Sequence, residues 1–246
     1  MNNTQTYNFA KSFLGKGGAT FRSYCGLPSG AAWCDAYVTY IFHKSGNANL
    51  FCGGKKQTYC PTTIKLCAKE IAQVPLYLAM PMDVIFFDWD RNGNPNHIGF
   101  VRDHKDTASI YTIEGNTDGG KVAQKTRAAK YVQAVFRPHF KPTGTLKKER
   151  LATDGVFYYK SIYMLQVALG GIATDGVLGI ATIKRLQAVA GLSGKQIDGA
   201  WGTTTSRYVQ RMLIKSGFLA KGGDDGAFGK ASCTALQKWC NAKVFP

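Results

Sequence analysis

The stretch NHIGFVRDHKDTASIYTIEGN, Asn96 to Asn116, decides the fold class of this chain. NHIGFVRD (96–103) alternates apolar and polar residues, SIYTIEGN (109–116) alternates again, and a short polar turn, Asp103 to Asp106, separates them. Period-two alternation on both sides of a polar turn predicts an antiparallel hairpin. Centred there, it pairs residues whose numbers sum to about 211. His97 then faces Glu114, with Cβ atoms ~4.5–5.5 Å apart, so a carboxylate can hold an imidazole. Asn116, two residues on, keeps the same face and is a second candidate to orient His97.

Working outward, DVIFFDW (83–89) is a dense apolar run and predicts a third, buried strand. Upstream, residues 31–45 predict a helix, with Ser29 as candidate cap and Gly46 as stop. Trp33, Ala36, Tyr37, Tyr40 and Ile41 form its apolar face. Cys34 falls in its first turn, where unpaired N–H groups and the positive end of the helix dipole favour a thiolate. A thiol, a base for its proton and a group that fixes the base are what nucleophilic catalysis requires. His43 falls near the far end of the helix and His104 in the turn, which leaves His97 as the histidine with a strand-fixed acid.

The 246 residues carry 31 basic and 15 acidic side chains, a net charge of +16. The excess is spread along the chain: residues 1–140 have 16 basic and 9 acidic groups, residues 141–246 have 15 and 6. Such a balance attracts polyanions such as nucleic acid, anionic lipid or a phosphate-rich wall. The basic residues are dispersed, and no nucleic-acid-binding signature accompanies them, which speaks against nucleic acid as partner. The longest apolar run, VPLYLAMPM (74–82), is broken by proline and too short to span a bilayer. The first residues contain no apolar block of the signal-peptide type, so a removable leader is not expected.

Seven cysteines without a CxxC pair match no zinc-ribbon or thioredoxin spacing, and most are expected to be reduced. Cys52, Cys60 and Cys67 match no metal-ligand spacing. Asp88, Asp90, Asn92 and Gly93 follow the start of an EF-hand loop, but its closing glutamate would fall at Gly99. A polar turn without a bound ion is therefore expected, and neither metal nor cofactor is assigned.

The last third repeats itself. DGVFYYKSIYMLQ (154–166), DGVLGIATIKRLQ (175–187), DGAWGTTTSRYVQ (198–210) and DGAFGKASCTALQ (225–237) share Asp-Gly, a hydroxyl seven residues after the Asp, and Gln twelve after it. Each copy predicts an Asp-Gly turn followed by a short helix. In the second copy Ile183, Leu186 and Val189 or Ala190 form the apolar stripe. Helices this short must pack on one another. Phe157, Trp201 and Phe228 are expected in the core. RPHFKPTGTLKKER (137–150) has linker chemistry, so residues 1–140 form one domain, 141–150 a linker and 151–246 a second domain.

The ordered motifs WCDAYV, CPTTIKLC, MDVIFFDWDRNGNPNHIGFV and YTIEGNT resemble the CHAP family, the cysteine, histidine-dependent amidohydrolases/peptidases. DGxxGxxT before a Leu-Gln helix is similar to the helical peptidoglycan-binding modules of wall hydrolases. The resemblance implies an α+β, papain-like catalytic domain with an antiparallel sheet, followed by a small all-α repeat-built wall-binding domain. It implies Cys34 as nucleophile, His97 as base, Glu114 as orienting acid, and Asn116 as a polar residue often counted with them. Many members have Gln before the Cys where this chain has Trp33, so no oxyanion donor beyond a backbone N–H near Cys34 is assigned. The implied activity is cleavage of an amide in the wall of Gram-positive bacteria, as amidase or endopeptidase. Peptidoglycan and its anionic polymers are the implied partners, with neither nucleic acid nor membrane. A phage endolysin, made in the host cytoplasm and released through a holin-type pore, fits this pattern. A bacterial autolysin or a catalytically inactive wall-binding protein is the alternative.

Overall fold

The computed structural model describes residues 1–104, 108–142 and 145–246, with the His104 side chain outside that description. Lys105, Asp106 and Thr107 of the expected hairpin turn, and Thr143 and Gly144 of the expected linker, therefore lie outside the described residues. The chain is mixed α+β and divides into two compact units, Met1–Ile71 with Ala79–Phe140, and Ala72–Leu78 with Lys141–Pro246.

The first unit opens with four helices, α1 (Asn3–Lys11), α2 (Ala19–Cys25), α3 (Cys34–Lys44) and α4 (Cys60–Glu70). A three-residue strand, β1 (Ala72–Val74), falls in the segment that groups with the second unit. Five strands follow: β2 (Val84–Phe87), β3 (His97–His104), β4 (Ser109–Thr117), β5 (Lys121–Ala128) and β6 (Val132–Arg137). They lie side by side in the order β6-β2-β3-β4-β5, every neighbouring pair antiparallel. α3 packs on β3 and β4, so the apolar face of the helix and one face of the sheet share a core. Trp33, Tyr37, Ile41 and Phe42 meet Phe86, Ile98, Phe100 and Ile113 there, all at most 2 % exposed. Each such side chain contributes about 1.5–3 kcal/mol relative to exposure.

α3 begins at Cys34, not at residue 31, and its cap is Trp33, which offers no side-chain hydrogen bond. Ser29 plays no capping part, because the indole of Trp33 is drawn into the core and the chain turns into the helix only after it. The hairpin register also differs from expectation. Phe100 pairs with Ile113 and Val101 with Thr112, a sum of 213, and a bulge at Arg102 shifts Asp103 onto Tyr111. β3 runs on through His104, so Asp103 and His104 belong to the strand. A slip of two preserves which face each side chain takes. His97 and Glu114 still share a face, but diagonally, and Gly99 is the residue directly opposite Glu114.

In the second unit α5 (Tyr159–Leu169), α6 (Ile180–Val189), α7 (Thr203–Lys215) and α8 (Lys230–Val244) each follow one Asp-Gly turn. The four turn glycines take φ of 80°, 72°, 82° and 83°, a region other residues resist. The repeated glutamines tie the copies together. Gln166 donates to Asp175 Oδ1 and accepts from the Gly176 N–H, Gln187 does the same with Asp198 and Gly199, and Gln210 with Asp225 and Gly226. Gln237 of the last copy reaches Asp154 and Gly155 of the first, at 2.9 Å each, and α8 packs on α5. The four copies thus close into a ring. Phe157, Trp201 and Phe228 are buried. In α6 the stripe is Ile183 and Leu186, with Gln187 beside them; Val189 is exposed because buried Gln187 takes the inward position to reach the next turn.

Candidate active site

Cys34 is the first residue of α3, so its side chain sits among the unpaired N–H groups of the first turn. What brings this helix end onto β4 is Gly115. A Cβ there would lie 2.5 Å from Tyr37 Cβ and 2.7 Å from Trp33 Cζ3, so only glycine lets α3 approach so closely. The neighbouring Glu114 is thereby held beside the helix tip. On β3, a Cβ at Gly99 would stand 2.7 Å from Glu114 Cγ. Its absence leaves room for the carboxylate to lean diagonally to His97, and Nε2 and Oε2 are 2.7 Å apart.

Glu114 is completely buried, and three side chains hold it through four hydrogen bonds. Besides His97, the Arg127 guanidinium donates from Nε to Oε1 at 2.9 Å and from Nη2 to Oε2 at 2.5 Å, and Thr112 Oγ1 donates to Oε1 at 2.5 Å. Arg127 is itself braced, donating to Thr117 Oγ1 at 2.9 Å and lying over the Trp89 ring at 4.9 Å. Trp89 stacks on Phe87 and stands 5.9 Å from the His97 ring. Burial pushes the Glu114 carboxyl up, but the hydrogen bonds and charges of Arg127 and His97 outweigh it and hold it down at about 2.

The imidazole and the thiol are linked electrostatically. Burial opposes charge on His97, yet the hydrogen bonds and charges of Cys34 and Glu114 raise it to about 9. For Cys34 the direction is opposite. The Cys60 thiol beside it favours the thiolate most, burial works against it, and His97 and the Asp35 N–H add to the lowering. With Nε2 engaged by Glu114, Nδ1 is the ring nitrogen left for the sulfur. Both directions favour the thiolate–imidazolium form of the pair, in which the thiol proton resides on the adjacent ring. Asp35 stays apart from this pairing. Burial raises its carboxyl to about 7 while Thr63 donates to Oδ2 at 2.6 Å, and Oδ1 has no partner among the described residues.

Cys34, His97 and Glu114 thus come together. Asn116 does not join them: it sits at the irregularity between Glu114 and Thr117 with φ of 57° and makes no hydrogen bond to His97. The extra backbone there turns it off the ladder, so its place two residues beyond Glu114 no longer carries it to the same site. His43 Nδ1 is engaged by the Tyr24 hydroxyl at 3.0 Å. In the loop 88–96, Asp88 accepts the N–H groups of Asn92 and Gly93, and Asn96 donates to Asp90. No cluster of three metal-ligating side chains occurs among the described residues, and none of their helices is long and apolar enough to cross a membrane. Arg127, Thr112, Gly99 and Cys60 are the site residues the sequence did not single out. A buried carboxylate demands a cation, which is the signal that could have pointed to Arg127.

A buried cysteine–histidine–glutamate constellation at a helix tip is equipped for nucleophilic attack on a carbonyl carbon. Comparison with known proteins finds no matching family model, no matching curated protein and no matching solved structure.

Proposed function

We propose that the first unit is a cysteine-dependent hydrolase, and specifically that the chain is a peptidoglycan hydrolase of the CHAP type whose repeat unit holds the wall. The observation that supports it most directly is Cys34 at the first position of α3 together with the His97 ring fixed by Glu114 at 2.7 Å, and the electrostatics of the site favour the thiolate. In this reading the Cys34 sulfur attacks the carbonyl of an amide in the peptide moiety or at its junction with the sugar. The imidazolium N–H passes its proton to the departing amine, leaving a thioester on Cys34. Neutral His97 then takes a proton from water as the hydroxyl adds to the thioester carbonyl. Collapse releases the carboxylic acid, and the thiol proton balance is restored between Cys34 and His97. Glu114, kept ionised by Arg127, stabilises the imidazolium at each stage without giving up its own charge.

The net charge of +16 suits a wall rich in anionic polymers, and the Asp-Gly repeats suit the wall-binding role. Cys34→Ala separates the two parts: it should abolish the turbidity loss of Gram-positive cell walls and leave sedimentation with those walls intact. Lysis by that variant would overturn the assignment. Added salt should weaken sedimentation, since screening acts on exposed charge.

A further inference from the structure

Cys60 makes and breaks no bond in the hydrolysis above, yet its sulfur, which favours the Cys34 thiolate, lies 3.9 Å from that of Cys34. It opens α4 as Cys34 opens α3, and both are 6 % exposed. Side-chain rotation can bring two sulfurs so placed to the bonding distance of ~2.05 Å. We propose that Cys34 and Cys60 form a peroxide-sensitive dithiol site, in which Cys60 captures the oxidised nucleophile as a reversible disulfide.

The chemistry balances with hydrogen peroxide as oxidant. The Cys34 thiolate attacks one peroxide oxygen, the O–O bond breaks, and with one proton the products are a Cys34 sulfenic acid and water. The Cys60 sulfur then attacks the Cys34 sulfur, the S–O bond breaks, and the thiol proton leaves with the hydroxyl as a second water. The two sulfurs together give up two electrons, and peroxide takes them. A dithiol reductant reverses the reaction by exchange.

The two thiols differ in the sense this division of labour needs. Cys34 is held toward the thiolate, whereas Cys60 is pushed strongly up by the neighbouring Cys34 and by burial, so it stays protonated until called on. A second pair serves as an internal control. Cys52 and Cys67 are 3.8 Å apart, but Cys67 is pushed up by Cys52, burial, Asp35 and Glu70, and no imidazole supports a thiolate there. Proximity is nearly the same in both pairs, but only Cys34 has an imidazole to support it.

The loss of wall lysis on oxidation rests on the hydrolase reading; the dithiol chemistry does not, so the test reads mass as well as lysis. Wild type and Cys60→Ser are exposed to hydrogen peroxide, alkylated and digested with trypsin without reduction. In wild type the peptide 57–65, which holds Cys60, should be joined to 23–44, which holds Cys25 and Cys34, with fragment ions placing the bond at Cys34. Dithiothreitol should release it and restore both iodoacetamide reactivity and lysis. In Cys60→Ser, Cys34 should advance to sulfinic acid, which dithiothreitol does not recover. Absence of the joined peptide from wild type, with Cys34 reaching sulfinic acid, overturns the proposal whether or not the variant folds. A joined peptide from a protein that lyses no wall even when reduced supports the dithiol site and overturns the hydrolase reading instead.

Discussion

Replacing Glu114 by Gln tests the electrostatics of the site without changing its shape. The amide occupies the same volume beside Gly99 and can still meet His97, but the negative charge between imidazole and guanidinium is gone. His97 is raised from 6.5 to about 9, and the whole of that shift corresponds to about 3.4 kcal/mol at 1.36 kcal/mol per unit. Cys34 supplies the larger part and Glu114 the next. A charge-assisted hydrogen bond contributes about 1.5–3 kcal/mol, so the variant should lower the imidazolium by about one to two units. Arg127, no longer neutralised, adds repulsion in the same direction. The signs are definite. A raised histidine contributes stability that is complete below pH 6.5 and lost as pH rises through about 9; in the variant that loss comes earlier. The assay is the rate of iodoacetamide alkylation of Cys34 against pH. Wild type should alkylate readily at pH 6, because the Cys60 thiol and the imidazolium together hold the thiolate there. In Glu114→Gln the step in the alkylation profile at which the imidazolium is lost should fall at about pH 7–8 instead of about 9, the displacement that one to two pKa units imply. Superimposable profiles, in a variant whose circular dichroism matches wild type, would refute the account of how the pair is held.

Gly99→Ala should place a methyl 2.7 Å from Glu114 Cγ and 3.0 Å from the Ile113 carbonyl; a melting curve should show a loss of about 1–3 kcal/mol, as overpacking does, together with slower low-pH alkylation of Cys34. Gln237→Ala removes the bonds to Asp154, Gly155 and Val156 that close the ring. It should destabilise the second unit by about 1–3 kcal/mol, given the buried Gly155 N–H left unsatisfied, and weaken wall sedimentation while leaving Cys34 alkylation unchanged.

Much of the site can be read from the chain, and the missing parts have physical reasons. Alternation about the polar turn places His97 and Glu114 on one face, and that survives a two-residue error in register because a strand repeats every two residues. The error itself comes from centring the turn on charged residues, when Asp103 and His104 still belong to the strand. Ser29 is a good cap by type, but capping residues compete with burial of an adjacent indole, and Trp33 prevails. Arg127 lies on β5, opposite Ile110 and four residues along the ladder from Glu114, so its contact needs a third strand and a long side chain. Nothing local announces it. Cys60 is similar: the distance between two helix tips is set by packing alone. In the second unit the repeat spacing reveals four like elements, whereas the bond from Gln237 back to Asp154 depends on the turn angle accumulated over the copies.

That closure has a further consequence for how such a module can vary. An open stack of repeats can grow by adding a copy at either end, but a loop whose final glutamine already grips the initial turn has no vacant end to extend. Copy number is then a geometric constant, and duplication of a single copy would break the circle. The beginning and end of the polypeptide within it become arbitrary: a permuted chain starting at Asp175 and running through a joined 246–151 junction to Leu169 keeps both partners of every glutamine-to-turn bond.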